Sequence, residues 1–112
     1  MDTDSIDTED RGAVKIAVAL RAARAFVGMS QVELADRTGI PKITLARVET
    51  LDGSLKAEQF IRLIDFFTSL GVSIDLRGSS GFTVKITNRL LDVAGERLRD
   101  ENYRRSDRRR DE

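Results

Sequence analysis

Residues 28–49, GMSQVELADRTGIPKITLARVE, decide the fold that we expect for this chain. Ser30 is a good helix N-cap, because its hydroxyl can accept the backbone N–H of Glu33 while Glu33 reaches back to the N–H of Ser30. Gly39 stands where a chain that leaves a helix often needs a positive φ. The first part of the stretch therefore predicts a short helix over residues 31–38.

The second part of the stretch predicts another short helix after a tight turn. Pro41 suits the first turn of a helix, where its missing N–H costs nothing. Leu45 and Val48 are three residues apart and form the inward side of a helix over residues 41–50. Ile40 is apolar inside the turn, so we expect it to fill the space between the two helices.

The outward side of the second helix carries Lys42, Ile43 and Arg47. Lys and Arg can donate to guanine O6 and N7, and Ile can touch the methyl group of thymine. This is the layout of a helix that enters the major groove of DNA. The alternative is that Lys42 and Arg47 form only a solvated face, as charged residues on a helix usually do.

Amphipathic segments flank this unit on both sides. Residues 13–27 are rich in Ala, with apolar residues three or four apart, which is typical of a helix. Residues 56–70 place five large apolar side chains on one helical face, where we expect them to pack into a core. These are Phe60, Leu63, Ile64, Phe67 and Leu70.

The stretch from about Val14 to Leu70 resembles the helix-turn-helix domain of phage repressors and Cro proteins, the XRE-type family. The resemblance rests on LRAARAFVGMSQVELADRTGI, PKITLARVE and the amphipathic helix that follows a short loop. It implies a mainly α, four-to-five-helix, phage-repressor-like domain that binds double-stranded DNA.

The resemblance also implies roles for individual side chains. The base-contacting positions of the family fall on Pro41, Lys42, Ile43 and Arg47. The predicted phosphate contacts are Gln31, Ser30, Thr44 and Lys56. In the family, the Gln at the position of Gln31 binds a phosphate or helps to orient a base-contacting side chain. The family's ion pair between its first and third helices falls on Arg24 and Glu49, although each could instead be solvated separately. The proline departs from the family pattern, in which a small polar residue is more common.

The apolar period changes from 3.6 to 2 after residue 71, which predicts a C-terminal β-hairpin over residues 72–87 and a final helix to about Asn102. A two-stranded hairpin alone is marginal in water, so its apolar face needs a partner surface. We predict that residues 72–101 form a homodimer, with a joined four-stranded sheet as one arrangement. Alternatively, they only extend the core of one chain. The predicted interface residues are Val72, Ile74, Phe82, Val84, Ile86, Leu90, Leu91, Ala94 and Leu98.

The sequence divides into four segments: an acidic N-terminus, a helix-turn-helix domain, a hairpin with a helix, and an Arg-rich tail. Their ranges are 1–12, 13–71, 72–102 and 103–112. The first segment lacks an apolar period, and we expect it to be mobile. The last could contact DNA phosphates, fold back on the acidic N-terminus or simply be solvated.

Composition excludes several kinds of chemistry. The 112 residues contain no Cys and no His, which excludes thiol catalysis, disulfides and the usual zinc sites. Paired carboxylates in an apolar pocket, a nucleophile elbow and a phosphate loop are all missing from the pattern, so we expect no enzymatic activity, cofactor or metal. No apolar run approaches the ~20 residues of a membrane span. The acidic N-terminus does not suit a signal peptide, so we expect a prokaryotic cytoplasm.

The net charge is zero, yet the charges are unevenly distributed. Residues 1–12 carry a net charge of −4, residues 13–50 carry +3 and residues 51–112 carry +1. Because phosphate neutralisation depends on local charge, overall neutrality is compatible with DNA binding.

The leading hypothesis is a sequence-specific, dimeric transcriptional regulator, such as a repressor or autoregulator of phage, mobile-element or bacterial origin. A polymerase is the expected partner if it activates. The alternative is an antitoxin or another protein-interaction module on the same scaffold, with DNA binding secondary and a toxin as partner. RNA binding is less favoured, because the predicted recognition surface lacks aromatic stacking residues.

Overall fold

The computed structural model describes residues 8–100 and 102. Within these residues the chain forms five α-helices and one antiparallel hairpin, which confirms the predicted mainly α fold with a C-terminal hairpin and final helix. The elements are α1 (Thr8–Val27), α2 (Gln31–Thr38), α3 (Lys42–Glu49), α4 (Ala57–Ser69), β1 (Val72–Asp75), β2 (Thr83–Ile86) and α5 (Asn88–Arg99). The predicted Arg-rich tail and most of the acidic N-terminus lie outside the described residues.

Helix α1 begins at Thr8, five residues before the predicted start at Ala13. The prediction followed the apolar period, which does begin there. Backbone hydrogen bonds do not need apolar side chains, however, and no proline interrupts the preceding residues. The helix therefore continues into the acidic segment.

The core lies between α1, α2, α3 and α4 and continues beneath the hairpin. Ile40 is only 1% exposed, so this turn residue fills the space between α2 and α3 as predicted. Val32, although apolar, is exposed. It lies two residues before the buried Leu34, which places it about 200° around the helix, on the opposite side.

The hairpin packs one face against the core and leaves the other to solvent. Val72 pairs with Ile86, and Ile74 pairs with Val84. All four side chains are buried or packed against the core. The alternate residues face outward and are exposed: Ser73, Asp75, Thr83 and Lys85.

This packing corrects part of the predicted dimer interface. Val72 is fully buried and Leu90 is 6% exposed, both within the core of a single chain. They have no surface left for a second copy. Leu91 and Leu98, in contrast, are 50% and 64% exposed.

Two long side chains tie the C-terminal elements to α1. Lys15 Nζ donates to the carbonyl oxygen of Gly78 at 2.5 Å, and Arg97 Nη2 donates to that of Phe26 at 2.7 Å. The hairpin is thus anchored to the N-terminal half of α1, and α5 is anchored near its C-terminal end. None of the helices in the described part of the chain is long and apolar enough to cross a membrane.

Candidate nucleic-acid interface

Helix α2 is capped at both ends by the residues that the sequence indicated. Ser30 Oγ accepts the backbone N–H of Glu33 at 3.1 Å, and Glu33 Oε1 accepts the N–H of Ser30 at 3.2 Å. Gly39 has a φ of 75° and donates its N–H to the carbonyl of Ala35 at 2.9 Å. These contacts confirm the predicted capping box and the left-handed residue at the end of the helix.

The turn between α2 and α3 is also held by polar contacts that sequence reasoning missed. Thr38 Oγ1 donates to the carbonyl of Leu34 at 2.7 Å and accepts the N–H of Ile40 at 3.3 Å. Arg62 Nη1, from α4, donates to the carbonyl of Thr38 at 3.0 Å. Helix α4 therefore contacts the turn directly through Arg62.

Helix α3 buries one side and exposes the other. Leu45 is fully buried and Val48 is 4% exposed. The predicted base-contacting residues Pro41, Lys42, Ile43 and Arg47 are all exposed. Within residues 8–100, the side chains of Lys42 and Arg47 make no hydrogen bond or ion pair. The exposed side of α3 is therefore available to an external surface.

The loop after α3 closes the end of the helix tightly. Asp52 donates its N–H to the carbonyl of Arg47 at 2.7 Å, and Leu51 donates to that of Val48 at 3.2 Å. Leu51 has a φ of 63°, which is unusual for a bulky residue. A Cβ added at Gly53 would lie 2.9 Å from Cβ of Arg47, so glycine is needed for this close approach.

Glu49 connects α3 to the first two helices. Its Oε2 accepts Nε of Arg24 at 2.8 Å and its Oε1 accepts Nη2 of the same guanidinium at 2.6 Å. Gln31 Nε2 donates to Oε1 at 3.2 Å. The structure therefore pairs Arg24 with Glu49 and adds Gln31, the predicted phosphate contact, to the same group.

Arg21 was not among the predicted site residues, yet it lies beside this group. Its Nε is 3.6 Å from Oε1 of Glu49. Arg21 precedes Arg24 by one helical turn, so the two point to the same side of α1. The spacing was visible in the sequence, but the carboxylate that they share is remote in the chain.

The other predicted phosphate contacts occupy different helices. Ser30 lies next to Gln31 at the start of α2, and its hydroxyl oxygen already accepts the cap hydrogen bond. Thr44 is half-buried in α3, and Lys56 is exposed at the start of α4. Lys56 donates its backbone N–H to Oε1 of Gln59 at 3.0 Å.

Comparison with known proteins agrees with this geometry. A family profile described as helix-turn-helix matches residues 20–75, which include α2, α3 and α4. The chain belongs to the XRE-type helix-turn-helix family, and it is a DNA-binding regulator of that kind. Searches of curated proteins and of solved structures give no significant match.

Proposed function

We propose that the protein is a sequence-specific transcriptional regulator that binds a two-fold operator as a dimer, with α3 in the major groove. The observation that carries the proposal is the exposed side of α3, where Lys42 and Arg47 have no partner within residues 8–100. Lys42 and Arg47 are five residues apart, which separates them by about 7.5 Å along the helix axis, so they can address different base pairs in the groove. A repressor or autoregulator of this kind acts by occupying its operator and blocking a promoter.

The turn unit supports the proposal through its rigidity. Because Ile40 is buried and Arg62 holds the carbonyl of Thr38, α3 projects from a fixed frame. Side chains on a preorganised helix lose less freedom on binding, which favours discrimination between base pairs. Each good base contact is worth about 1–3 kcal/mol of discrimination.

The exposed side of α5 supports the dimer. Leu91 and Leu98 are seven residues apart, so they lie on one face of the helix, with the half-buried Ala94 between them. Large apolar side chains this exposed are typical of an association surface when they line one face. A two-fold dimer presents two copies of α3 to half-sites about one DNA turn apart.

Binding-site selection from random duplex DNA, at a stated salt concentration, tests the proposal. We expect a palindromic consensus whose half-site contains guanine. Arg47→Ala and Lys42→Ala should each cost about 1–3 kcal/mol and relax the preference at one position. Lys85→Ala, on the outer face of the hairpin, is the matched control and should leave the consensus unchanged. Recovery of no consensus, or equal behaviour of all three variants, would contradict the proposal.

A further inference from the structure

Three side chains that can donate hydrogen bonds converge on the carboxylate of Glu49. Arg24 bonds both oxygens, and Gln31 Nε2 is the second donor to Oε1. Arg21 Nε approaches the same oxygen at 3.6 Å, which is beyond hydrogen-bond distance. Since Oε1 already accepts two hydrogen bonds, Arg21 is attracted by charge alone.

The group formed by Arg21, Arg24, Gln31 and Glu49 has a surplus positive charge on its solvent side. It contains two guanidinium groups and one carboxylate. The side chain of Glu49 is 1% exposed, whereas that of Arg21 is 65% exposed. Within the described part of the chain, Arg21 forms no side-chain hydrogen bond, so its N–H groups are free to donate to an external acceptor.

Gln31 has a donor to offer beside Arg21. A side-chain amide carries two N–H groups, and Glu49 accepts one of them. Because the nitrogens of Gln31 and Arg21 lie 3.2 and 3.6 Å from one oxygen, they are no more than about 7 Å apart. Two charge-assisted hydrogen bonds of about 2.8 Å to different oxygens of one phosphate can span that distance.

We propose that Arg21 and Gln31 together bind one backbone phosphate of the DNA duplex, and that Glu49 holds both side chains in place. Arg21 supplies the charge that neutralises the phosphate, and Gln31 supplies a neutral donor that fixes the position of the backbone. This role depends on the proposed function, since it requires a bound duplex. It adds a contact from α1, a helix to which the sequence assigned no DNA contact.

The dependence of affinity on salt tests the role of Arg21. A phosphate neutralised by a cation contributes about −0.9 to the slope of log K against log salt concentration. Arg21→Ala should therefore make the slope shallower by about 0.9 per bound protomer, and it should weaken specific and random duplexes by the same factor. Between 50 and 200 mM salt, the wild-type protein should lose about threefold more affinity per protomer than the variant.

Three variants separate this role from general charge effects. Arg21→Lys keeps the charge and should keep the wild-type slope. Gln31→Ala should weaken binding without changing the slope, because the amide is neutral. Arg77→Ala removes the same charge two residues after the end of β1, where Arg77 pairs with Asp75. It should leave the slope unchanged.

Neutralising single phosphates of the duplex identifies the contact itself. A methylphosphonate at the bound position should weaken the wild-type protein more than Arg21→Ala, in which only the neutral amide of Gln31 still contacts that phosphate. If wild-type and Arg21→Ala slopes are equal, the role of Arg21 is overturned while the proposed function stands. If the wild-type protein binds no duplex at low salt, both the proposed function and the role of Arg21 are overturned. Melting curves of each variant distinguish lost binding from lost folding.

Discussion

The guanidinium of Arg24 and the carboxylate of Glu49 form a bidentate ion pair, with N···O distances of 2.6 and 2.8 Å, that joins α1 to α3. The Glu49 side chain is 1% exposed and that of Arg24 is 20% exposed. Removing one partner of a buried pair leaves the other charge without compensation, which typically costs about 3–5 kcal/mol.

We therefore expect Arg24→Met to lower the free energy of unfolding by about 3 kcal/mol. Arg21→Ala is the natural comparison, because Arg21 is more exposed and should contribute less than about 1 kcal/mol. Urea denaturation of both variants measures the difference. Equal effects would mean that the Arg24–Glu49 ion pair does not stabilise the packing of α1 against α3.

Ile43 offers an apolar contact on the exposed side of α3, where it is 59% exposed. If it touches a thymine methyl, replacing that thymine with deoxyuridine should weaken wild-type binding about fourfold, since one buried methylene-sized group is worth about 0.8 kcal/mol. Ile43→Ala should bind both duplexes equally. The effect is measured by titrating the protein with duplexes in which one thymine at a time is replaced by deoxyuridine.

Ile61→Ala provides the control for this experiment. Ile61 is 58% exposed on α4, so the substitution removes a similar apolar surface from another helix. This variant should keep the wild-type response to deoxyuridine. A fourfold loss that persists in Ile43→Ala would assign the methyl contact to a different residue.

Leu51 is held in the left-handed region and is 56% exposed. That conformation costs an L-residue roughly 1–2 kcal/mol, and glycine adopts it without this cost. The greater flexibility of glycine in the unfolded chain offsets part of the gain. We expect Leu51→Gly to stabilise the protein by about 0.5–1 kcal/mol, measured by thermal unfolding. Leu51→Ala retains the strain and should give no gain.

The exposed face of α5 provides a test of the proposed dimer. Leu91→Glu combined with Leu98→Glu should produce a folded monomer, because both side chains are at least half exposed in the single chain. Leu90→Glu should unfold the protein instead, since it puts a carboxylate into the core. Sedimentation together with circular dichroism separates the two results. A doubly substituted protein that remains dimeric would place the interface elsewhere.

Local chemistry made the central unit predictable from sequence. The capping box at Ser30, the left-handed Gly39 and the apolar Ile40 each depend on neighbours within a few residues. Long-range contacts were harder to foresee. The family resemblance supplied Arg24 and Glu49, but no pattern indicated that Arg21 shares the same carboxylate.

In the C-terminal part of the chain too, local features were predictable from sequence and long-range contacts were not. Alternation correctly predicted a hairpin with one apolar face, because a period of 2 reflects the geometry of a strand. It could not reveal which surface would cover that face. Val72 and Leu90 pack into the chain's own core, whereas Leu91, adjacent in sequence, stays exposed. Which of these side chains is buried depends on long-range packing, which the local sequence pattern does not specify.

The hydrogen bond from Arg62 to the carbonyl of Thr38 limits how this protein can be engineered. A graft that transplanted only residues 28–49 into another scaffold would leave that carbonyl without its donor. It would also remove one constraint on the angle between α2 and α3. A swap of specificity between relatives should therefore exchange surface side chains of α3 and leave Thr38 and Arg62 untouched.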